Sequence, residues 1–434
     1  MSLLDQTRQA KSAHKAHILA RPNVVGMGVG YRVTRGQVSD ELSIVVLVRQ
    51  KIPAQVLSEQ ALVPQEVSGI RTDVIEVGDL RPLSANTQRW RPSPAGVSVG
   101  HYKVTAGTLG CVVRDRSTGK RMILSNNHVL ANVNAASPGD PILQPGVADG
   151  GQVERDTLAH LERFCPLDFG TAPATCDIAR SYAALGNALA RLAGSRHQIQ
   201  AFQSNPKAEN QVDAALARPV DDQVLLDEIM EIGTVTGIAL AELGMAVRKS
   251  GRTTSFTTGE ITVLDASVKV NYGYGAELTA SFEGQIVGSA MSQGGDSGSL
   301  VVASDAPLAV GLLFAGSDQA TIFSPIQVVM EKLDFVIGGT VKKGFGDRQA
   351  AIEKAQAVRL LHQDELMAKA NVVGVGVGLR HTGQKRTETV ALIVMVSKKL
   401  PRALLDPQDV IPSEIDGVPV DVKEVGEVRA DNGG

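Results

Sequence analysis

The 434 residues are too many for one ordinary hydrophobic core, and roughly two to four domains are expected. Hydrophobic content of 43% beside 21% charged residues is that of a water-soluble globular chain. A formal charge of -3 gives no electrostatic reason to bind nucleic acid or an anionic membrane, and no uncharged apolar run is long enough to span a bilayer.

The first residues, Met1-Ser2-Leu3-Leu4-Asp5-Gln6, lack a basic region followed by an apolar core, so no secretory leader is expected. Three cysteines, Cys111, Cys165 and Cys176, match no zinc spacing. So sparse and odd a set fits a reducing, cytoplasmic setting without structural disulfides. No metal or cofactor is implied.

Both ends of the chain carry one repeated module. Residues 23–78 align with 371–426 at a constant offset of 348, without a gap and with 23 identities in 56 positions. In each copy a helical stretch (about 3–20 and about 348–369) precedes two strand-like runs, a short helix after Pro53 or Pro401, and a last strand. The second strand, 43–48 or 391–396, is apolar enough to be buried on both faces. The runs Gly26-Met27-Gly28-Val29-Gly30 and Gly374-Val375-Gly376-Val377-Gly378 place glycine at every second residue, hence on one face of a strand. No Lys-Ser/Thr follows as a phosphate loop requires, so the bare face reads as packing, a place for the module's own helix to approach.

Proline- and glycine-rich connectors at 81–86, 91–94 and 338–346 border the middle. From Val97 to Leu333 short β-branched runs alternate with glycine turns, which predicts antiparallel barrels or sandwiches. Cys176 to Ala193 breaks the pattern as an alanine-rich amphipathic helix, read as an insertion spanning about 176–200.

Chemistry concentrates at Gln293-Gly294-Gly295-Asp296-Ser297-Gly298-Ser299. Flanking glycines permit a sharp turn and bring N–H groups beside the hydroxyl, so Ser297 is a candidate nucleophile with the amides of Gly295 and Ser297 as an oxyanion hole. His128 ends the apolar run Met122–Leu124 through Ser125-Asn126-Asn127, a strand end able to aim an imidazole. Asp213, in Val212-Asp213-Ala214-Ala215, is a carboxylate among small apolar residues that needs a buried partner, and the Nδ1–H of His128 is such a partner. Asp177 competes for that role, although it opens the predicted helix, where N-cap chemistry also explains it.

His128, Asp213 and Gly-Gly-Asp-Ser297-Gly-Ser, in that order, resemble the trypsin-fold (chymotrypsin-like) serine proteases over roughly 97–335, and Lys249-Ser250-Gly251-Arg252-Thr253-Thr254 resembles the second-barrel entry strands of bacterial members. The flanking modules are similar to the layout of the plant narrow-leaf type of trypsin-like protease and its bacterial relatives. The resemblance implies a mainly β fold: two six-stranded antiparallel barrels with a Ser-His-Asp triad between them. The expected layout is an α+β module at 1–90, a protease domain at 91–340 and a second α+β module at 341–434. No Ile-Val-Gly-Gly-like start stands near Val97, so Asp296 must find a partner other than a freed amine. Val129 and Gln293 replace the family's cysteines beside the histidine and serine. By alignment Met291 would floor the substrate pocket, with Phe314, Ala315 and Gly316 as its wall, which implies an uncharged residue before the scissile bond. The reading is thus a serine endopeptidase acting on peptides or proteins, as a homo-oligomer assembled by its terminal modules. The competing reading is a catalytically silent scaffold that binds peptides.

Overall fold

Runs of alternating apolar residues broken by glycine turns make the chain mainly β. The computed structural model describes residues 2–34, 37–58, 60–77, 85–195, 197–205, 207–273, 278–342, 348–382 and 385–430. Most of the connectors expected at 81–86 and 342–346 lies outside the described residues. The chain forms two units, 1–83 and 84–434.

In the first unit α1 (Leu3–Leu19) starts at Ser2, whose hydroxyl accepts the Asp5 amide while the Asp5 carboxylate accepts the Ser2 amide. Strands β1 (Val24–Thr34), β2 (Gln37–Val48), β3 (Glu66–Val67) and β4 (Ile70–Glu76) form a sheet in the order β1-β2-β4-β3. Ala10 and Ile18 of the helix pack on Ile44, Val46 and Val48. On the opposite face Val45 and Leu47 are half-buried, and a methyl at Gly28 would meet open space.

The second unit opens with β5 (Ser98–His101), β6 (Gly107–Thr108), β7 (Cys111–Asp115), β8 (Arg121–Ser125), β9 (Pro141–Leu143), β10 (Thr157–Phe164) and β11 (Ala215–Pro219). They pair antiparallel in the order β7-β8-β11-β10-β9-β5-β6. Phe335–Val336 adds an eighth strand outside β7, and only Leu109 and Gly110 separate β6 from β7, so the sheet curls until β6 returns beside β7. A second ring follows from β12 (Ala246–Gly251), β13 (Ser255–Asn271), β14 (Thr279–Ser289), β15 (Leu300–Ala303), β16 (Leu308–Gly316) and β17 (Ala320–Pro325). It runs β12-β15-β16-β17-β14-β13 and closes through β12–β13, all antiparallel. Between β10 and β11 lies the inserted helix, Asp177–Leu192, none of whose residues is buried.

The C-terminal repeat copy comprises α4 (Gln349–Ala368), β18 (Val372–Thr382), β19 (Lys385–Val396), β20 (Glu414–Ile415) and β21 (Val418–Glu424), the inserted helix and the short helix at Asn127–Leu130 being α3 and α2. Its strand order, β18-β19-β21-β20, is that of the first unit, but here β18 also pairs with the outer half of β13, so module and barrel share one sheet. Added methyls at Gly374 and Gly378 would lie 2.9 Å and 2.7 Å from the carbonyls of Ser267 and Thr262 in that barrel strand. The expectation that the bare face receives the module's own helix is therefore corrected. Ala355, Val358 and Leu366 of α4 pack on the opposite, valine-bearing face with Val375 and Val377. Glycine is needed where a neighbouring strand, not a helix, comes close.

Candidate active site

Asn126 keeps extended backbone at the end of β8 and starts α2, all of whose residues are buried. The first amides of so short a helix need an acceptor, and Asp213 supplies it. Its Oδ1 accepts from the amides of Asn127 at 2.7 Å and His128 at 3.3 Å. The Asn126 side chain returns a bond to the Asp213 carbonyl at 2.7 Å. Asp213 Oδ2 accepts from His128 Nδ1 at 2.6 Å and from the Tyr272 hydroxyl at 2.8 Å. The carboxylate, fully buried, is thus held by four donors, and the imidazole is fixed with its proton on Nδ1. His128 Nε2 is buried and has no hydrogen-bond partner among the described residues. Tyr272 also meets the imidazole edge-on at 5.7 Å. Burial, and then the charge of Asp213, hold its phenol well above 10, so it stays a donor.

The turn bearing Ser297 depends on two left-handed glycines, Gly295 (φ 93°) and Gly298 (φ 94°). A methyl on Gly295 would lie 2.5 Å from the Arg252 guanidinium and the Thr253 hydroxyl. Asp296 braces the turn. Its Oδ2 accepts from Lys249 Nζ at 3.1 Å, the Thr254 hydroxyl at 2.6 Å and the Gln293 amide at 3.0 Å. Its Oδ1 accepts from the amides of Thr253 at 2.8 Å and Thr254 at 3.1 Å. Lys249 is therefore the cationic partner of Asp296, and both side chains are fully buried. The hydroxyl of Ser297, 4% exposed, donates to the Phe314 carbonyl at 3.3 Å instead of to His128. The amides of Gly295 and Ser297 have no partner among the described residues.

Thr108 ties the two barrels' contributions together. Its amide donates to the Ser297 carbonyl at 2.8 Å and its hydroxyl to the Gly295 carbonyl at 3.0 Å. Its own carbonyl accepts from Ser125, three residues before the imidazole, at 2.7 Å. A methyl on Gly298 would overlap that Ser125 hydroxyl.

No family model matches the chain, and no curated protein matches it. Solved structures do. One is a glutamic acid specific serine protease that utilizes a histidine triad in substrate binding: 17% identity, 56% of this chain, all of that chain, TM-score 0.36. Others are Nocardiopsis protease (14% identity, 57% and 100% of the two chains, TM-score 0.36) and Thermobifida fusca Protease A (17%, 57% and 100%, TM-score 0.35).

Beside Ser297 a cavity of about 270 Å³ is lined by Ser292, Gln293, Ala315, Gly316, Asp318 and Arg429, among others. Ala315 and Gly316 are thus among its lining residues. Met291 is instead buried with Val301, Leu313 and Phe323, and Phe314 packs on Phe282 at 4.7 Å between ring centres. Asp318, just past the end of β16, and Arg429, 111 residues further along, put charged groups on the same cavity. Asp177 sits 93% exposed at the start of α3, ion-paired with Arg180, and Asp213 is the carboxylate that meets the imidazole. Among the described residues no group of His, Cys, Asp and Glu is arranged to hold a metal, and no helix is long and apolar enough to cross a membrane.

Sequence reasoning missed Tyr272, Thr108, Lys249 and Arg429 as members of this region. The sequence requires a partner for Asp296 other than a freed amine and offers Lys249 in a distinctive segment, so that pair is the one signal available.

Proposed function

We propose that the chain is a serine endopeptidase. The carrying observation is the Asp213–His128 pair, whose bare Nε2 is buried and unpartnered while Thr108 and Ser125 link its strand to the glycine-flanked turn of Ser297. Rotation of the Ser297 side chain off the Phe314 carbonyl frees the hydroxyl for the imidazole. Oγ then attacks the peptide carbonyl carbon while Nε2 takes its proton, and Asp213 stabilises the resulting imidazolium. The tetrahedral oxygen is received by the free amides of Gly295 and Ser297. Collapse breaks the C–N bond as Nε2 returns the proton to the leaving amine, and water cleaves the acyl-enzyme by the same route. Ser297→Ala lowers turnover by about 10⁴–10⁶-fold with the fold intact. Equal peptide cleavage by that variant overturns the assignment.

The resting bond from Ser297 to Phe314 favours a second reading, a silent scaffold that binds peptides. A fluorophosphonate probe separates the two: labelling at Ser297 supports the enzyme, and its absence in every activated form supports the scaffold.

A homo-oligomer in a reducing, cytoplasmic compartment completes the reading. The three free cysteines are consistent with the compartment. Assembly with a second copy is supported by the first unit, where among the described residues a methyl at Gly28 meets open space, whereas the glycines of its C-terminal twin lie against a barrel strand. The exposed apolar row Ile178, Tyr182, Leu185, Leu189 and Leu192 on α3 adds to it. Light scattering tests this: a monomer both with and without residues 1–83 refutes it.

A further inference from the structure

We propose that residues 428–430 of this same chain occupy the peptide-binding groove, so that the C-terminal tail is a tethered occupant that must leave before substrate enters. This rests on the endopeptidase reading for its consequence, but not for the binding itself.

The groove is an open strand edge. Between Leu313 and Ala315 the register of β16 shifts, a bulge that turns the Phe314 carbonyl toward Ser297. Residues two apart along a strand present their N–H and C=O to the same edge, so Gly316 offers both groups on the side that Phe314 turns to the serine. Arg429 takes both: its amide donates to the Gly316 carbonyl at 3.0 Å and its carbonyl accepts the Gly316 amide at 2.9 Å. That is the pairing by which an extended peptide adds to a sheet edge.

The other edge of the tail is held too. The Asn271 amide, at the end of β13, donates to Val428 at 3.1 Å, and the Ala430 amide donates to Asn271 at 3.0 Å. Strand alternation then sorts the side chains. Val428 and Ala430 point inward and are buried in the cluster that contains Phe314 and Tyr272, whereas Arg429 lines the cavity beside Ser297. Pairing with Gly316 is antiparallel, so passing from Val428 to Ala430 the chain heads back along β16 toward Phe314 and the serine. A substrate in the same register would bring the residue two beyond its Gly316-paired position opposite Phe314. The ligand class is accordingly an extended peptide with small apolar residues on either side of that position.

A short tether gives an effective concentration of about 1 mM, so a segment with a free Kd of about 100 µM fills the groove roughly ten to one. Truncation after Gly426 should then raise the fluorophosphonate labelling rate of Ser297 about tenfold. Independently of any chemistry, a fluorescein-labelled peptide of residues 427–434 should bind the truncated Ser297→Ala protein by anisotropy, and bind the full-length Ser297→Ala chain at least tenfold more weakly. No binding to the folded truncated protein, or equal binding to both, overturns the proposal. If the truncated chain does not fold, full-length Arg429→Pro decides, because proline removes the donor to Gly316. It should take up the peptide where the wild type does not, and equal uptake overturns the proposal. Peptide binding without labelling in any form would sink the endopeptidase reading alone.

Discussion

Replacing Thr108 by valine removes one hydroxyl from the centre of the site while keeping volume and branching. Thr108 is fully buried, and its Oγ1 does two things: it donates to the Gly295 carbonyl at 3.0 Å and accepts the Arg252 amide at 3.0 Å. The valine leaves both groups without that partner, at about 1–3 kcal/mol for each buried group left unpaired. Allowing for relaxation, the expected loss is about 2–4 kcal/mol by urea unfolding. The backbone bonds from Thr108 to Ser297 and from Ser125 to Thr108 do not involve the hydroxyl, so the turn should loosen without unfolding. In the proposed enzyme the amide of Gly295, on the same residue as that carbonyl, is one of the two offered to the oxyanion, so kcat should fall by more than KM rises. Thr108→Ser, which keeps the hydroxyl, is the control and should recover most of both effects. A valine variant within about 0.5 kcal/mol of wild type, the range of a neutral surface substitution, would refute the reasoning.

Lys249→Met should cost about 3 kcal/mol, the low end for a broken buried ion pair, because Asp296 keeps three amides and a hydroxyl. Adding Asp296→Asn should recover at least half of that in chemical denaturation, and no recovery would show that the charge is not what matters. At Asp156 burial works against the charge, but the Arg155 side chain, the Gln152 amide and Arg89 more than offset it and leave the carboxyl at about 2. A folded-state value depressed from the ordinary 3.8 contributes stability above that pH and loses it as the pH falls through about 2. The stability gap between wild type and Asp156→Asn, followed by urea titration, should therefore be constant near neutrality and narrow from about pH 4 downward.

Much of the site was legible because its chemistry demands local composition. Glycines on both sides of Ser297 and small apolar residues on both sides of Asp213 are signals that neighbours in sequence can carry. Tyr272 carried none: it follows the last residue of a long strand, and only the register of β13 turns its hydroxyl onto Asp213. Thr108 was likewise an ordinary strand threonine until the curl of the first barrel set it against the serine turn. Arg429 is the extreme case, since its pairing with Gly316 is fixed by how the C-terminal module is stitched to β13, and no periodicity in the tail encodes that. Met291 shows the reverse error. Counting residues back from Ser297 placed it in the pocket, whereas packing against Val301 and Phe323 turned it into the core.

The two terminal modules put one sequence pattern in two environments. In the C-terminal copy Ile393 and Met395 are 2% and 1% exposed, because the barrel strand covers the glycine face on which they lie. In the first unit the corresponding Val45 and Leu47 are half-buried, while Ile44 and Val46, which meet the helix, are fully buried like their twins Leu392 and Val394. The helix-facing side is thus satisfied within each module, and the glycine-facing side is satisfied only where another strand arrives. Glycines at 26, 28 and 30 are costly in an isolated sheet, since each gives up side-chain contact and backbone entropy. Their presence where, among the described residues, a methyl at Gly28 would meet open space is accounted for if that face, too, receives a strand, and in the proposed assembly a second copy of the chain supplies it.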